Sequence, residues 1–448
     1  MSILRGNGVK GVRGRHGGDP PVREAGSAEK MIGLVDGNNF YVSCERVFDP
    51  SLEGKPVAVM SNNDGCVISR SQECKDLGIP MGTPFFQLKP RLAQSGLILK
   101  SSNYELYGDI SRRVIATLGE FAPEVEQYSI DEAFIHVNPP SGTDMFEYGT
   151  RIRQAVLKWV GIPCGIGFAT SKTLAKIANH IGKKRPSGVF VMPDDPRPVL
   201  ETLPVGEVWG VGRRLAPKLA AFGLQTAWQL AAADEGFLRR KFNVTLAKTA
   251  LELRGQPLFE QEDPEELSKS ISCSRSFGHP VVDLADLTEA VANYTARAAE
   301  KLRREKQLAA GVNVYFQYYP EYTPVALPGG FYATTITFET PTSSTSEMLH
   351  AIRPKLNGIF QEGRRYKKAG VLFFGLESAE NQQMDLFADH GNAEKQDRLS
   401  VAMDEINRRF GRGSLFHLAE GIQRPWTMKR EMLTPSYTTD WNQLPEVK

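Results

Sequence analysis

No window of this 448-residue chain approaches the run of about 18 uncharged apolar residues that a membrane crossing requires, so no membrane partner is expected. Cysteine is scarce. Cys44, Cys66, Cys74, Cys164 and Cys273 are odd in number and lie far apart, without the close pairs of a zinc site. That argues against a secreted disulfide framework and fits a reducing cytoplasm. An excess of either charge is missing too: 54 Lys and Arg stand against 52 Asp and Glu. A balance this even still allows acids and bases to be segregated by domain. What is present is ordinary for a soluble globular protein, 41% hydrophobic and 24% charged residues. The length implies roughly two to four domains. Residues 1–30 are rich in Gly and Arg, without apolar periodicity or the apolar core of a secretory signal. They are expected to form a disordered leader, with the folded chain beginning near Met31.

The pattern that follows is mixed α/β. MIGLVD (31–36) reads as a buried strand that ends on a carboxylate, and KPVAVMSN (55–62) as a second strand before the turn NNDG. SQECKDLG (71–78) looks helical, as does YGDISRRVIATLGEFAP (107–123), with Ile110, Val114, Ile115 and Leu118 at helical spacing and Pro123 as its stop. YSIDEAFIHV (128–137), PCGIGFAT (163–170) and GVFVM (188–192) read as strands. SKTLAKIANHIGKK (171–184) is an amphipathic helix. Leu174, Ile177, Ala178 and Ile181 form its apolar stripe, while Lys172, Lys176 and Lys183 gather on another face, ordinarily a solvated one.

After PDDPRP the character changes. LPVGEVWGVGRRLAPKLAAFG contains a Gly-x-Gly turn, Gly210 and Gly212, followed by Arg213 and Arg214. Free backbone N–H groups at such a turn suit a DNA phosphate, which makes this a helix-hairpin-helix candidate; the bland alternative is a plain helical turn. EQEDPEEL (260–267) looks like an acidic linker. From 270 to 377 the order is strand, helix, strand, strand, helix, strand, the ferredoxin-like β-α-β-β-α-β unit. Arg275, Arg297, Arg303, Arg304, Lys306, Arg364, Arg365, Lys367 and Lys368 make it locally basic, as a DNA-facing surface or merely a solvated one. In the tail, NQQMDLFADH carries Met384, Leu386 and Phe387 as isolated anchors, for a partner's pocket or for the neighbouring domain.

The side-by-side Asp131 and Glu132 raise the chemical question. Neighbours on a strand point to opposite faces, so two acids serving one site must sit at a strand's start or a bulge. An acidic surface turn is the plain reading of this stretch. With Asp36 at the end of another strand, however, three carboxylates could hold two Mg²⁺ ions, which favour oxygen ligands and phosphates. Two such ions support in-line displacement at phosphorus. A DNA-binding hairpin and a basic domain downstream would supply the second reactant.

DGNNFYVSCE (36–45), SNNDGCVISRSQECKDLGI (61–79), SSNYELYGDISRRV (101–114), YSIDEAF, TSKTLAKIANHIGKK and VWGVGRRL resemble the Y-family translesion DNA polymerases. CSRSFG (273–278), ARAAEKLR (296–303), YKKAGV (366–371) and WTMKREMLTPSYTT (426–439) resemble the UmuC subgroup. The likeness runs from about Met31 to the C-terminus. It implies a right-hand architecture of α/β and α+β domains: palm 31–39 and 103–192, fingers 40–102, thumb 193–262, little finger 270–378, and a tail 379–448. It implies Asp36, Asp131 and Glu132 as metal-binding acids with the Gly37 carbonyl as a further ligand for two Mg²⁺ ions, for which Mn²⁺ can substitute. Tyr41 matches the steric gate against ribonucleotides, its alternative being an aromatic core residue; Phe40 would pack on the incoming sugar. Lys75 and Lys183 match triphosphate-binding bases, with Arg70 and Gln72 as further contacts, although Gln72 stands where other branches often carry Tyr. Gly210, Gly212, Arg213, Arg214 and Arg275 would contact the DNA backbone. Gln382, Met384, Leu386 and Phe387 would bind a β sliding clamp. The expected activity is error-prone, template-directed synthesis past damaged bases in the SOS response. Its expected partners are primer–template DNA, dNTP, a UmuD′-type dimer and RecA. The competing functions are a non-catalytic DNA- and clamp-binding subunit and a metal-dependent nuclease.

Overall fold

The computed structural model describes residues 30–140, 142–259, 267–319, 330–381 and 390–445. The leader, nearly all of the acidic linker and Gln382 to Phe387 lie outside the described residues. Among those described, no helix is long and apolar enough to cross a membrane.

The chain opens with β1 (Met31–Gly37), α1 (Phe40–Phe48), β2 (Val57–Met60), β3 (Val67–Arg70), α2 (Gln72–Asp76), α3 (Phe85–Ser95) and β4 (Ile98–Ser101). It continues through α4 (Tyr104–Gly119), β5 (Glu124–Gln127), β6 (Glu132–Val137), α5 (Met145–Val160), β7 (Cys164–Ala169), α6 (Lys172–Gly182) and β8 (Val189–Val191). These strands build a five-stranded sheet in the order β5-β6-β1-β7-β8 and a three-stranded sheet β3-β2-β4. Period-two alternation divides the large sheet's residues between two cores. Val35, Ala133 and Ile135 meet α1, α4 and α5, whereas Ile32, Leu34 and Phe134 meet α6. By the same alternation Asp36 and Glu132 belong to the face that α6 covers. In β2, Val57 and Val59 join the large core while Ala58 and Met60 join the small one. Phe40, Val42 and Cys44 of α1 are buried in the same large core, so α1 packs against the five-stranded sheet.

Five short helices follow: α7 (Arg197–Thr202), α8 (Ala216–Ala221), α9 (Ala227–Ala232), α10 (Glu235–Lys241) and α11 (Val244–Glu252). Their core residues Leu200, Leu219, Leu230, Leu238 and Leu246 are continuous with those of α6. The hairpin expected around WGVG is asymmetric, since a single 3-10 turn, Val205–Glu207, stands where its first helix was expected.

The next unit is β9 (Ile271–Val281), α12 (Leu284–Arg304), β10 (Gln307–Tyr318), β11 (Phe331–Thr342), α13 (Thr345–Ile352) and β12 (Tyr366–Ser378). This is the expected β-α-β-β-α-β order. Its sheet runs β11-β10-β12-β9 with every neighbouring pair antiparallel. Inserting β12 between β9 and β10 makes a split β-α-β unit. The second helix ends at Ile352, just before Pro354, and gives way to a 3-10 stretch.

The tail begins with α14 (His390–Phe410). Arg303 holds it, donating to both carboxylate oxygens of Asp404 at 2.6 and 2.8 Å and to the Ser343 carbonyl. Arg303 therefore pins the tail and is not part of an open basic face. Beyond α14 the chain runs back across the whole molecule. Trp426 is buried edge-on against Tyr294 of α12, and the Lys429 N–H donates to the Asn63 side chain, which itself donates to the Ser276 carbonyl of β9. The Glu431 N–H donates to Asp64, and the backbones of Met432 and Ser101 are hydrogen-bonded at 3.0 Å. The strap passes over β9 where Gly278 leaves room; a Cβ there would meet the Thr427 carbonyl at 2.4 Å. Gly278→Ala is expected to displace the strap and to lower stability by about 1–3 kcal/mol. Limited proteolysis should then cut between residues 411 and 432 sooner than in the parent protein.

Candidate active site

The residues 128–131 settle the puzzle of adjacent acids. They form a turn ahead of β6, in which the Ser129 hydroxyl accepts the N–H groups of Asp131 and Glu132 at 3.2 and 3.0 Å. The same hydroxyl donates to the Asp131 carboxylate at 2.6 Å. Asp131 is thus oriented by a turn and Glu132 by a strand, so the two need not point apart. Glu132 lies directly opposite Asp36 in the β1–β6 register, and the Gly37 N–H donates to the Asp131 carbonyl at 2.9 Å. Directly opposed residues place their Cβ atoms roughly 5 Å apart. Three acids from positions about a hundred residues apart therefore stand at one end of the sheet.

Burial and charge both act on Asp36. Burial, opposed by Lys183 and reinforced by Glu132 and Asp131, pushes the Asp36 carboxyl up to about 6. The cations that soften this come from α6 and from the residue that follows it. Lys183 Nζ sits 2.5 Å from Asp36 Oδ2, and Lys176 Nζ lies 3.1 Å from both oxygens of Glu132. Lys172, buried, reaches Glu126 at 2.7 Å. The lysine face expected to be solvated instead lies over a row of acids, because α6 packs on the sheet with that side inward. Gly165, opposite Asp36 on β7, makes room for it: a Cβ there would stand 2.7 Å from Lys183 Cγ. The role of this glycine has no signature in the sequence.

The site fits divalent cations by its chemistry. Its donors are hard oxygens, and the charge of Asp36 and Glu132 is balanced in part by two ammonium groups that stand where metal charge would. In the conformation described, the carboxylates turn to Lys183, Lys176 and Ser129, and no three acidic, His or Cys side chains among the described residues are drawn together on one point.

Around the acids the expected residues divide. Tyr41 is half-buried, stacked on Tyr107 at 4.6 Å with Tyr104 edge-on at 5.9 Å. Burial first, then the charges of Tyr104 and Asp131, push its phenol up to about 12, so it stays neutral. Phe40 must be corrected. It is 4% exposed and packed in the core under Gly37, and offers no face to a sugar. On a helix, adjacent residues point about 100° apart, so the turn that buries Phe40 leaves Tyr41 half-exposed.

Lys75 is exposed on α2, and burial together with the nearby charges of Arg70 and Lys183 lowers its pKa. Lys183, which pairs with Asp36, is thus also near enough to Lys75 for their charges to be felt. Arg70 also donates to the Ile79 carbonyl, which ties it to the α2 region. Gln72 is exposed and donates to Asp76 at 2.8 Å, pointing along its own helix. Farther away, Gly210, Gly212, Arg213 and Arg214 are exposed on the turn before α8, and Trp209 beside them packs edge-on against Tyr128 at 5.6 Å. Arg275 is exposed on β9. Glu45, Tyr104, Tyr107 and Gly165 escaped the reading of the sequence; only the recurrence of Tyr at 104 and 107, one helical turn apart, hinted at a shared face.

Comparison with known proteins follows the same lines. Residues 35–180 match the impB/mucB/samB family, 193–224 the helix-hairpin-helix motif of that family, and 268–386 its C-terminal domain. Residues 397–447 match a domain of unknown function. Protein UmuC of Salmonella typhimurium is 43% identical over 93% of this chain and all of its own length. DNA polymerase IV 1 of Bacillus subtilis is 28% identical over 90% of this chain and 94% of its own. Among solved structures, a chimera of the Y-family DNA polymerases Dbh and Dpo4 superposes with a TM-score of 0.60, covering 78% of this chain and 99% of the chimera; at 22% identity that likeness speaks to the fold. Converging strand-end acids, a tyrosine cage beside them, this fold and this depth of similarity place the chain in the impB/mucB/samB family, the UmuC-type branch of the Y-family DNA polymerases.

Proposed function

We propose that this translesion DNA polymerase transfers a nucleotide from dNTP to a primer 3′-hydroxyl at Asp36, Asp131 and Glu132. The observation that carries the reading is the register of β1 on β6, which sets Asp36 opposite Glu132 with Asp131 hydrogen-bonded beside it. Those three side chains and the Gly37 carbonyl would hold two Mg²⁺ ions, with Mn²⁺ as a substitute. When bound there, the ions make the primer hydroxyl a better nucleophile and stabilise the leaving oxygen. Loading them requires Lys183 to leave Asp36 and Lys176 to leave Glu132. Freed, Lys183 would join Lys75 and Arg70 on the incoming triphosphate, whose charge would relieve the mutual repulsion of these cations. Tyr41, held between Tyr104 and Tyr107, blocks the space of a 2′-hydroxyl. Gly210, Gly212, Arg213, Arg214 and Arg275 are exposed, as phosphate-backbone contacts need to be.

The same reading extends to the finer roles. The polymerase acts in the cytoplasm on damaged template during the SOS response, with a UmuD′-type dimer, RecA and a β sliding clamp bound through Gln382, Met384, Leu386 and Phe387. Tethering at a clamp raises the effective concentration of the enzyme at a primer end.

Purified full-length protein on a 5′-labelled primer with an abasic template and Mg²⁺ tests the reaction. Stepwise lengthening past the lesion, alone or with a UmuD′-type dimer and activated RecA, is expected. Shortening of the primer would identify a nuclease instead, and an unchanged primer under every condition a non-catalytic binder.

A further inference from the structure

Tyr41 does not hold its own position. Its ring is stacked within 18° of parallel on Tyr107, and Tyr104 meets it edge-on at 89°. Both partners stand on the first turn of α4, three residues apart and so on one helical face. What fixes that turn comes from the other end of the chain. The Tyr107 hydroxyl donates to Glu45 Oε1 at 2.7 Å, and the same oxygen accepts from the Thr434 hydroxyl at 3.3 Å. Asn103 caps α4 by accepting the Leu106 N–H, while its amide donates to Thr434 Oγ1 at 3.1 Å and to the carbonyls of Thr434 and Pro435 at 3.3 Å. Tyr437 continues the contact, stacked on Phe48 of α1 at 4.9 Å.

These groups are buried. Tyr107 is 0%, Glu45 1%, Asn103 3% and Thr434 6% exposed. Hydrogen bonds to a carboxylate away from water are strong and directional, and a missing partner is costly. Glu45 lies one helical turn beyond Tyr41 on α1, so its carboxylate joins the helix that carries the gate to the helix that braces it. Thr434 completes the link, and it lies in the segment that matches a domain of unknown function.

We infer that the C-terminal segment around Thr434 is a specificity-determining part of this polymerase: through Glu45, Tyr107 and Asn103 it fixes the aromatic rings that hold Tyr41, and thereby sets how strongly ribonucleotides are rejected. The inference rests on Tyr41 being the sugar gate. Thr434, Glu45 and Asn103 are positioning residues that act through Tyr107 and Tyr104. A gate acts by clash, and a clash is only as selective as the blocking ring is rigid. Slack in the brace lets the ring retreat from a 2′-hydroxyl while leaving the deoxyribonucleotide's fit almost unaltered.

Single-nucleotide insertion by the full-length protein, with dNTP and rNTP of one base on an undamaged primer–template, tests this. Thr434→Val and Tyr107→Phe each remove one hydroxyl at nearly constant volume. Each is expected to lower the deoxy-to-ribo ratio of kcat/KM about fivefold, the equilibrium worth of one net buried hydrogen bond, chiefly through a lower ribonucleotide KM. Thr434→Ser, which keeps the hydroxyl, should restore the parent ratio. Equal losses for both sugars would mean that the segment is only a tether, and the inference would fall. If Thr434→Val does not fold, Tyr107→Phe decides alone. Tyr41→Ala, run in parallel, separates the two levels: if it collapses the ratio while the other variants keep it, the gate stands and the brace does not. If Tyr41→Ala leaves the ratio unchanged, the gate reading fails first.

Discussion

Asp131→Asn is expected to cost roughly a thousandfold in kcat for primer extension, about 4 kcal/mol of transition-state stabilisation. The asparagine keeps the shape of the side chain and an oxygen to accept the Ser129 hydroxyl, so the turn ahead of β6 survives. What it loses is the negative charge that would bind a cation next to the reacting phosphate. Because the substitution removes an anion from a site that must admit polyanions, affinity for primer–template should stay the same or rise slightly. Rapid-quench insertion kinetics alongside fluorescence anisotropy on the same labelled duplex separate the two effects. Undiminished extension would remove Asp131 from the proposed metal-binding acids and with it the assignment of the site.

Tyr41→Ala acts on selection more than on speed. The substitution removes the ring held between Tyr104 and Tyr107, the half-exposed member of the pair, since Phe40 is buried in the core. Discrimination against ribonucleotides should fall roughly a hundredfold, because it rests on a clash and no attractive contact remains to replace it. Tyr41→Phe keeps the ring and should preserve most of the discrimination. Steady-state insertion of matched dNTP and rNTP measures both. A ratio unmoved by Tyr41→Ala would reassign the residue to packing alone.

Much of this molecule could be read along the chain. The strand that ends on Asp36, the acids after Ser129 and the order β-α-β-β-α-β are local patterns, visible because strand and helix periodicities repeat every two or 3.6 residues. The lysine face of α6 was visible too, at its helical spacing. Its partners were not, because a charged stripe on an isolated helix looks the same whether it faces water or acids. Only the packing of α6 across β7 brings Lys172, Lys176 and Lys183 to Glu126, Glu132 and Asp36. The misreading of Phe40 has a similar origin, since the sequence FY does not say which ring the helix turns outward.

The amino-acid order alone thus determined which side chains are candidates for the chemistry and the elements that carry them, for periodicity and chemical type are properties of neighbours. The folded molecule decided which charges neutralise one another and what braces the gate, most plainly where Thr434 meets Glu45 across 389 positions. Contacts of that kind depend on how separate cores dock, and their energy exists only after the chain entropy of bringing distant segments together has been overcome.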